Sequence, residues 1–155
     1  MKIFVKNEAS LTELAKLIAP HLKPGDFISL RGTLGMGKTA FARALIRQMT
    51  PDGDEIDVPS PTYTLVQQYD TPQGLISHFD LYRLDNPDEI WELGWEEALY
   101  DGICFVEWPE RAKDHLPEDR LEISLMPSSD PEQSREYLFS FYGFWEARSL
   151  DLKHV

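Results

Sequence analysis

The chain has 155 residues, of which 42% are hydrophobic, and this length supplies one hydrophobic core but not two ordinary domains. Asp and Glu outnumber Lys and Arg by 27 to 15, and the formal charge of -12 disfavours direct, stable nucleic-acid binding except through a local basic patch. No signal-peptide pattern and no stretch approaching the roughly 18 apolar residues of a membrane span is apparent. With a single cysteine, Cys104, in an apolar run, we expect a cytoplasmic protein without membrane association.

Apolar periodicity and turn residues predict strands alternating with helices. Ser10 is predicted as the N-cap of a helix whose apolar positions recur as far as Ile18. Further along, Asn86 and Pro87 are predicted to open a helix that Gly94 interrupts. The other predictions, in chain order, are strands at residues 3–5 and 27–30, a helix running to about Met49, a β-hairpin of strands 64–69 and 75–79 around a turn at 70–74, strands at 103–106, 121–125 and 137–142, and a surface loop at 127–134.

Residues 32–39 match the complete phosphate-binding pattern G-x-x-x-x-G-K-[ST], with a strand-like run before it and a helix-like run after it. The glycines let backbone N–H groups approach a β-phosphate, Lys38 places a cation between the β- and γ-phosphates, and the Thr39 hydroxyl is positioned to ligate Mg²⁺. The motif therefore predicts binding of a nucleoside triphosphate, and the lack of an N-K-x-D guanine-reading motif favours ATP over GTP. The predicted nucleotide contacts in the loop are Gly35, Met36, Gly37, Lys38, Thr39 and Ala40.

The order of elements predicts an α/β fold of the three-layer, P-loop NTPase-like type, with a central, mostly parallel sheet and a hairpin addition. Residues 1–142 are predicted to form a single P-loop ATPase domain, and residues 143–155 a C-terminal tail without an assigned role.

Two acidic residues follow predicted strands and are candidates to complete the site. Asp80 follows strand 75–79 and Glu107 follows strand 103–106, so each would emerge at the sheet edge where a phosphate loop lies. A carboxylate there can hold Mg²⁺, directly or through water, or orient an attacking water. A strand-end acid that caps the following turn explains either residue equally well. His78 is interpreted as facing a polar layer or solvent, and not as a catalyst.

Four further segments follow the phosphate loop in order: Ser-Pro-Thr-Tyr-Thr-Leu at 60–65, His-Phe-Asp-Leu-Tyr-Arg-Leu at 78–84, Glu-Leu-Gly at 92–94 and Glu-Trp-Pro-Glu-Arg at 107–111. Together with residues 34–39, they closely resemble the bacterial TsaE family, also called YjeE, the ATPase component of tRNA threonylcarbamoyladenosine biosynthesis. The resemblance covers about residues 8 to 140.

The resemblance implies an ATPase that is slow alone, stimulated by partners, and accessory to the TsaD and TsaB proteins. In that system TsaD and TsaB transfer a threonylcarbamoyl group to an adenosine beside the tRNA anticodon. ATP binding or hydrolysis by this chain would then drive a conformational or product-release step. The acidic surface is consistent with docking on a protein partner instead of gripping the tRNA.

The same resemblance assigns roles to the candidate site residues. Thr39 and Glu107 match Mg²⁺-associated positions. Asp80 matches an acid required for activity, and for both acids we favour a role at the metal over positioning of the attacking water. The implied catalytic residues are Lys38, Asp80 and Glu107.

Other matched positions are implied to sense the nucleotide or contact a partner. Ser60, Pro61 and Thr62 match a switch-like segment, for which a capped turn is the alternative. Trp108 is expected to pack over the nucleotide site or to face a partner, and the alternative is that its side chain simply fills the core. Arg135 falls where the family places an arginine near the nucleotide.

The chain departs from the family at Thr33, where an acid is usual, and at Ala40, where a second hydroxyl residue is common. Both departures bear on nucleotide affinity and rate. Two other functions stay open: a small-molecule P-loop kinase, and a nucleotide-gated adaptor without significant hydrolysis.

Overall fold

The computed structural model describes residues 1–129, 134–148, 150 and 152. Its strands form a seven-stranded sheet in the order β1-β7-β6-β2-β5-β4-β3. The strands are β1 (Lys2–Val5), β2 (Phe27–Arg31), β3 (Val66–Thr71), β4 (Gly74–Asp80), β5 (Ile103–Glu107), β6 (Arg120–Pro127) and β7 (Arg135–Tyr142).

The centre of the sheet is parallel and its two sides are antiparallel. β6, β2, β5 and β4 run parallel to one another, whereas β1 pairs with β7, β7 with β6, and β3 with β4 in antiparallel fashion. The predicted α/β fold with a mostly parallel sheet is confirmed, and the hairpin addition is β3 and β4. Parallel strands align their carboxyl ends, so β2, β4 and β5 deliver the residues that follow them to one edge.

The described residues form three α-helices, α1 (Glu8–Ile18), α2 (Lys38–Met49) and α3 (Trp95–Asp101). The prediction that Ser10 caps α1 is wrong, because the cap is Asn7, whose side chain accepts a hydrogen bond from the Ser10 backbone N–H. Ser10 is instead the third helical residue of a capping box, and its hydroxyl accepts from the backbone N–H of Asn7. Both residue types favour caps, and only the backbone conformation distinguishes them.

The two faces of the sheet are covered by different elements, which makes the three layers. On one face Ile28 and Leu30 pack in a cluster with residues of α1 and α2. On the other face Phe27 and Cys104 pack against Trp95 of α3. Burial raises the pKa of the Cys104 thiol to about 12, in keeping with its predicted place in a core strand.

Some element bounds and helix types differ from the predictions. β3 starts at Val66 and not at residue 64, because Leu65 has a left-handed φ of 68° that ends extended pairing. Asn86 caps and Pro87 opens a helix as predicted, but it is a 3₁₀ helix (Pro87–Leu93), and Gly94 with φ 75° separates it from α3. Further 3₁₀ helices span Ala19–His21, Pro109–His115 and Gly143–Ala147.

The predicted surface loop at 127–134 lies partly outside the described residues, since 130–133 are not described. Of the segment predicted as a tail, residues 143–148, 150 and 152 are described, and Trp145 is 0% exposed. Leu150 and Leu152 belong to the same buried cluster as Trp145. No helix in the described ranges has the length and apolar character needed to cross a membrane.

Candidate functional site

The phosphate-loop motif lies between β2 and α2, at the carboxyl edge of the sheet. Gly37 is the N-cap of α2 with φ 97°, a left-handed conformation that glycine adopts without steric cost, and no side chain caps the helix. The N–H groups of the first helical turn therefore remain open to an anion, and the helix dipole favours negative charge there. At Gly32 a Cβ atom would lie 2.9 Å from the Leu125 carbonyl oxygen, so β6 packs too closely for any other residue.

Lys38 is folded back into its own loop. Its Nζ donates to the carbonyl oxygens of Gly32 at 2.6 Å and Thr33 at 2.9 Å. The Trp108 ring lies over the ammonium group, 4.2 Å from its centroid, so Trp108 packs over the phosphate loop. Burial lowers the pKa of Lys38, and the nearby Glu107 and Asp80 carboxylates act in the opposite direction. Two carbonyl dipoles and one aromatic face thus surround the amine, and three acids, Glu107, Asp80 and the more weakly acting Glu110, favour its charged form.

The structure brings Asp80 and Glu107 together at the end of adjacent parallel strands. They are direct register partners between β4 and β5 and are 3% and 2% exposed. A further backbone bond, from the Leu81 N–H to the Glu107 carbonyl at 3.1 Å, holds the strand ends together beyond the ladder. Two carboxylates thus face the phosphate loop with little access to bulk water.

Both oxygens of the Glu107 carboxylate accept side-chain hydrogen bonds. The Thr39 hydroxyl donates to Oε1 at 2.8 Å, and His78 Nε2 contacts Oε2 at 2.7 Å. The first contact joins the hydroxyl at the start of α2 to the acid at the end of β5. It therefore brings together the two positions that the family resemblance associates with Mg²⁺.

Asp80 is tied to the segment at residues 60–62. The Thr62 hydroxyl donates to Asp80 Oδ2 at 2.8 Å, and since its hydrogen is used there, the Ser60 hydroxyl donates to Thr62 Oγ1 at 2.7 Å. The Tyr82 N–H donates to Asp80 Oδ1 at 3.0 Å. Pro61 is buried, and its carbonyl accepts from the Leu65 N–H at 2.7 Å. This segment is thus a hydrogen-bonded turn whose hydroxyl chain ends on an acid of the site.

The acids, Lys38 and the loop line one cleft of about 270 Å³. Within the described ranges, no group of three or more His, Cys, Asp and Glu side chains is arranged to hold a metal ion. Mg²⁺ commonly uses one or two carboxylates, a hydroxyl, nucleotide phosphates and water. The Thr39 hydroxyl with Glu107 and Asp80 fits that requirement. The cleft is lined by Leu34, Gly35, Gly37, Lys38, Thr39, Thr62, Asp80, Glu107 and Trp108.

A second cleft of about 290 Å³ lies on the other side of the phosphate loop. It is where the structure places Arg135, together with Met36 and Ala40, so these predicted nucleotide residues lie in one groove. Asn7 and Tyr137 also line it, and neither was predicted from the sequence as a site residue. Gly35 and Gly37 line both this cleft and the one that contains the acids, so the phosphate loop lies between the two.

His78 is the main residue of the site that sequence reasoning assigned differently. Solvent was one of the two surroundings expected for it, but its side chain is 0% exposed and bonded to Glu107. A signal was present in the sequence: His78 lies two positions before Asp80 on a predicted strand, and residues two apart share a face. The sequence did not indicate the register between β4 and β5, which places Glu107 next to His78 and Asp80.

A family model described as "Threonylcarbamoyl adenosine biosynthesis protein TsaE" matches residues 5–137. The chain is 43% identical over 123 residues to a tRNA threonylcarbamoyladenosine biosynthesis protein TsaE of Rickettsia felis, covering 79% of this chain and 71% of that relative. It is 36% identical over 138 residues to the protein of the same name from Bacillus subtilis, covering 88% and 83%.

Among solved structures, the chain resembles the crystal structure of Bacillus subtilis YdiB. The TM-score is 0.74 at 30% sequence identity, and the match covers 95% of this chain and 89% of the other.

Proposed function

The chain belongs to the TsaE family, and from this premise we propose that it binds and hydrolyses ATP as an accessory protein of tRNA threonylcarbamoyladenosine biosynthesis. The proposed partner is a TsaD–TsaB complex in the cytoplasm, and the proposed cofactor of the reaction is Mg²⁺. The observation that carries the proposal is the 2.8 Å hydrogen bond from the Thr39 hydroxyl to Glu107. It lies beside the phosphate loop, at the N-terminus of α2, where no hydrogen bond from a described side chain caps the helix.

In the proposed reaction the loop binds the phosphates and Lys38 neutralises the charge on the β- and γ-phosphates. Mg²⁺, when bound, neutralises phosphate charge at the leaving group. Thr39, Glu107 and Asp80 are the residues that would hold it. The low exposure of both acids supports strong electrostatic interactions, since water screens them poorly there.

The nucleoside would lie in the second cleft, beside Met36, Ala40 and Arg135. That cleft continues from the phosphate loop, and its volume of about 290 Å³ suits a nucleoside-sized group. The acids and the nucleoside would then lie on opposite sides of the loop, as an extended triphosphate requires.

The Ser60–Thr62 turn supports a link between nucleotide state and partner binding. Its hydroxyl chain ends on Asp80, so a nucleotide and metal at the acids would compete for or reorder the Thr62 hydrogen bond. The turn is partly exposed and can present a different surface in each nucleotide state. Partner affinity and ATP affinity are then reciprocal quantities.

The test measures phosphate release by the chain alone and with purified TsaD–TsaB, and titrates the complex in the presence of ATP or ADP. We expect slow hydrolysis alone, faster hydrolysis with the complex, and tighter association with ATP. Nucleotide-independent association with unchanged hydrolysis would favour a passive adaptor. Transfer of labelled phosphate to a small molecule in place of water would identify a kinase.

A further inference from the structure

The buried side chains of His78 and Glu107 form a hydrogen bond across two strands of the sheet. The His78 side chain is 0% exposed and the Glu107 side chain 3% exposed, with 2.7 Å between Nε2 and Oε2. His78 lies on β4 and Glu107 on the adjacent β5, two register positions apart, since Glu107 is opposite Asp80. The contact is therefore diagonal across two parallel strands, within reach of a long side chain.

The direction of this hydrogen bond follows from its partners. An ionised carboxylate only accepts, so Nε2 carries the hydrogen and donates it to Oε2. The other ring nitrogen, Nδ1, is buried and has no hydrogen-bond partner among the described residues. A hydrogen on Nδ1 would be a buried donor without an acceptor in the described ranges, which is costly, so the geometry favours a hydrogen on Nε2. Within the part of the chain that the structure describes, the hydrogen bond of the imidazole is thus directed at Glu107.

The two hydrogen bonds prevent the Glu107 carboxylate from rotating freely. Oε1 accepts from Thr39 on the loop side, and Oε2 accepts from His78 on the core side. Without the His78 donor, Oε2 would be a buried carboxylate oxygen without a partner, which rotation of the carboxylate or entry of water would relieve. Rotation would move Oε1 away from the Thr39 hydroxyl, and a mobile water would hold Oε2 less firmly than the buried imidazole does.

We propose that His78 is a positioning residue that fixes the Glu107 carboxylate, so that Glu107 and Thr39 meet Mg²⁺ in a single geometry. The proposal rests on the proposed Mg²⁺·ATP function. Partners that orient metal-binding carboxylates in this way commonly contribute 10- to 100-fold to metal affinity or activity, as an order of magnitude. His78 need not contact nucleotide or metal to do so.

The chain offers a matched pair of substitutions. In His78→Gln the amide nitrogen is as many bonds from Cα as Nε2, whereas in His78→Asn it is as many bonds from Cα as Nδ1. Both variants place a neutral amide at the same buried position, so they resemble each other in polarity and differ in which ring nitrogen they replace. Only His78→Gln retains a donor for Glu107.

The experiment measures binding of a non-hydrolysable ATP analogue by calorimetry, across a Mg²⁺ titration and in EDTA, with thermal unfolding of each variant. We expect His78→Asn to raise the half-saturating Mg²⁺ concentration roughly tenfold, and His78→Gln to stay close to wild type. Binding in EDTA should be the same in all three proteins, because the phosphate loop is unchanged. Steady-state hydrolysis should follow the Mg²⁺ response.

Three results would overturn the inference. Equal Mg²⁺ responses in wild type and His78→Asn would mean that His78 does not position Glu107. Equal impairment in His78→Gln and His78→Asn, or a parallel loss of binding in EDTA, would mean that the ring serves packing alone. A wild-type protein whose binding ignores Mg²⁺ would overturn the proposed function as well, which separates the two failures.

Discussion

At the scale of single residues, the phosphate loop depends on one cation. Lys38→Ala should weaken ATP binding by about 2 kcal/mol, because it removes a charged hydrogen-bond donor to the β- and γ-phosphates. The fold should survive, since among the described residues Lys38 donates to two carbonyl oxygens of its own loop and lies against the Trp108 ring. Calorimetry with ATP measures the change.

The control for Lys38 is Lys16→Ala on α1, which removes the same charge. Lys16 is 52% exposed and pairs with Glu13 on the helix surface, so its loss should leave ATP affinity unchanged. Equal affinities for wild type and Lys38→Ala would contradict the assignment of the loop.

Glu107 separates binding from chemistry. Glu107→Gln keeps the size and one acceptor oxygen but removes the charge, so Mg²⁺-dependent hydrolysis should fall roughly 10- to 100-fold while nucleotide affinity changes much less. Steady-state phosphate release and calorimetry on the same preparation measure the two effects.

Glu110→Gln is the matched control for Glu107. It removes the same charge three positions later, where the side chain is 43% exposed and pairs with Arg31 at 3.5 Å. Its hydrolysis rate should fall far less than that of Glu107→Gln, because Glu110 is exposed and acts on Lys38 more weakly than Glu107 and Asp80 do. If the Glu107 variant hydrolyses ATP at the wild-type rate, Glu107 has no role in hydrolysis and is simply the last residue of β5.

At the scale of elements, the turn that precedes β3 is the proposed link between nucleotide and partner. Thr62→Ala breaks the hydroxyl chain from Ser60 to Asp80. The preference of a TsaD–TsaB complex for the ATP-bound over the ADP-bound protein should therefore fall by about 1 kcal/mol, roughly fivefold. Titration of the complex in each nucleotide state measures this difference.

Two variants test whether the effect comes from the hydroxyl. Thr62→Ser retains it and should keep the preference. Thr64→Ala removes a hydroxyl two positions later, one that accepts from Gln67 at 3.0 Å, and should also keep the preference. A preference that Thr62→Ala leaves intact would make the turn a structural cap.

At the scale of the whole molecule, residues after β7 help to close the core. Trp145 is 0% exposed, with the Arg148 guanidinium 3.8 Å from its ring centroid, and Arg148 also pairs with buried Asp26 at 2.5 Å. Trp145→Ala should lower the free energy of unfolding by about 3–5 kcal/mol, because it leaves a large cavity. Urea denaturation measures the loss.

Phe144→Ala is the control for Trp145, since Phe144 is the adjacent residue and is 42% exposed. This substitution should cost about 1–2 kcal/mol, clearly less than Trp145→Ala, because much of the Phe144 side chain is already exposed and its removal leaves no enclosed cavity. If Trp145→Ala were equally mild, residues from 143 onward would be an appended tail in energetic terms.

The sequence by itself determined the features that depend on neighbouring residues. The phosphate loop is encoded within eight positions, and Asp80 and Glu107 are recognisable because each follows a predicted strand, although only the strand before Glu107 is apolar throughout. The mostly parallel sheet follows from the alternation of strands and helices. The turn of the hairpin at residues 70–74 is likewise local chemistry.

Tertiary structure decided which side chains meet. Thr39 and Glu107 are 68 positions apart, and His78 and Glu107 are 29 apart, so their contacts depend on the register of β4, β5 and α2. A strand pattern tells which face a residue occupies but not which residue of another strand lies opposite. Burial of Trp145 likewise depends on packing between distant elements. The loop was therefore readable from sequence, whereas the orientation of its acids follows only from the packed sheet.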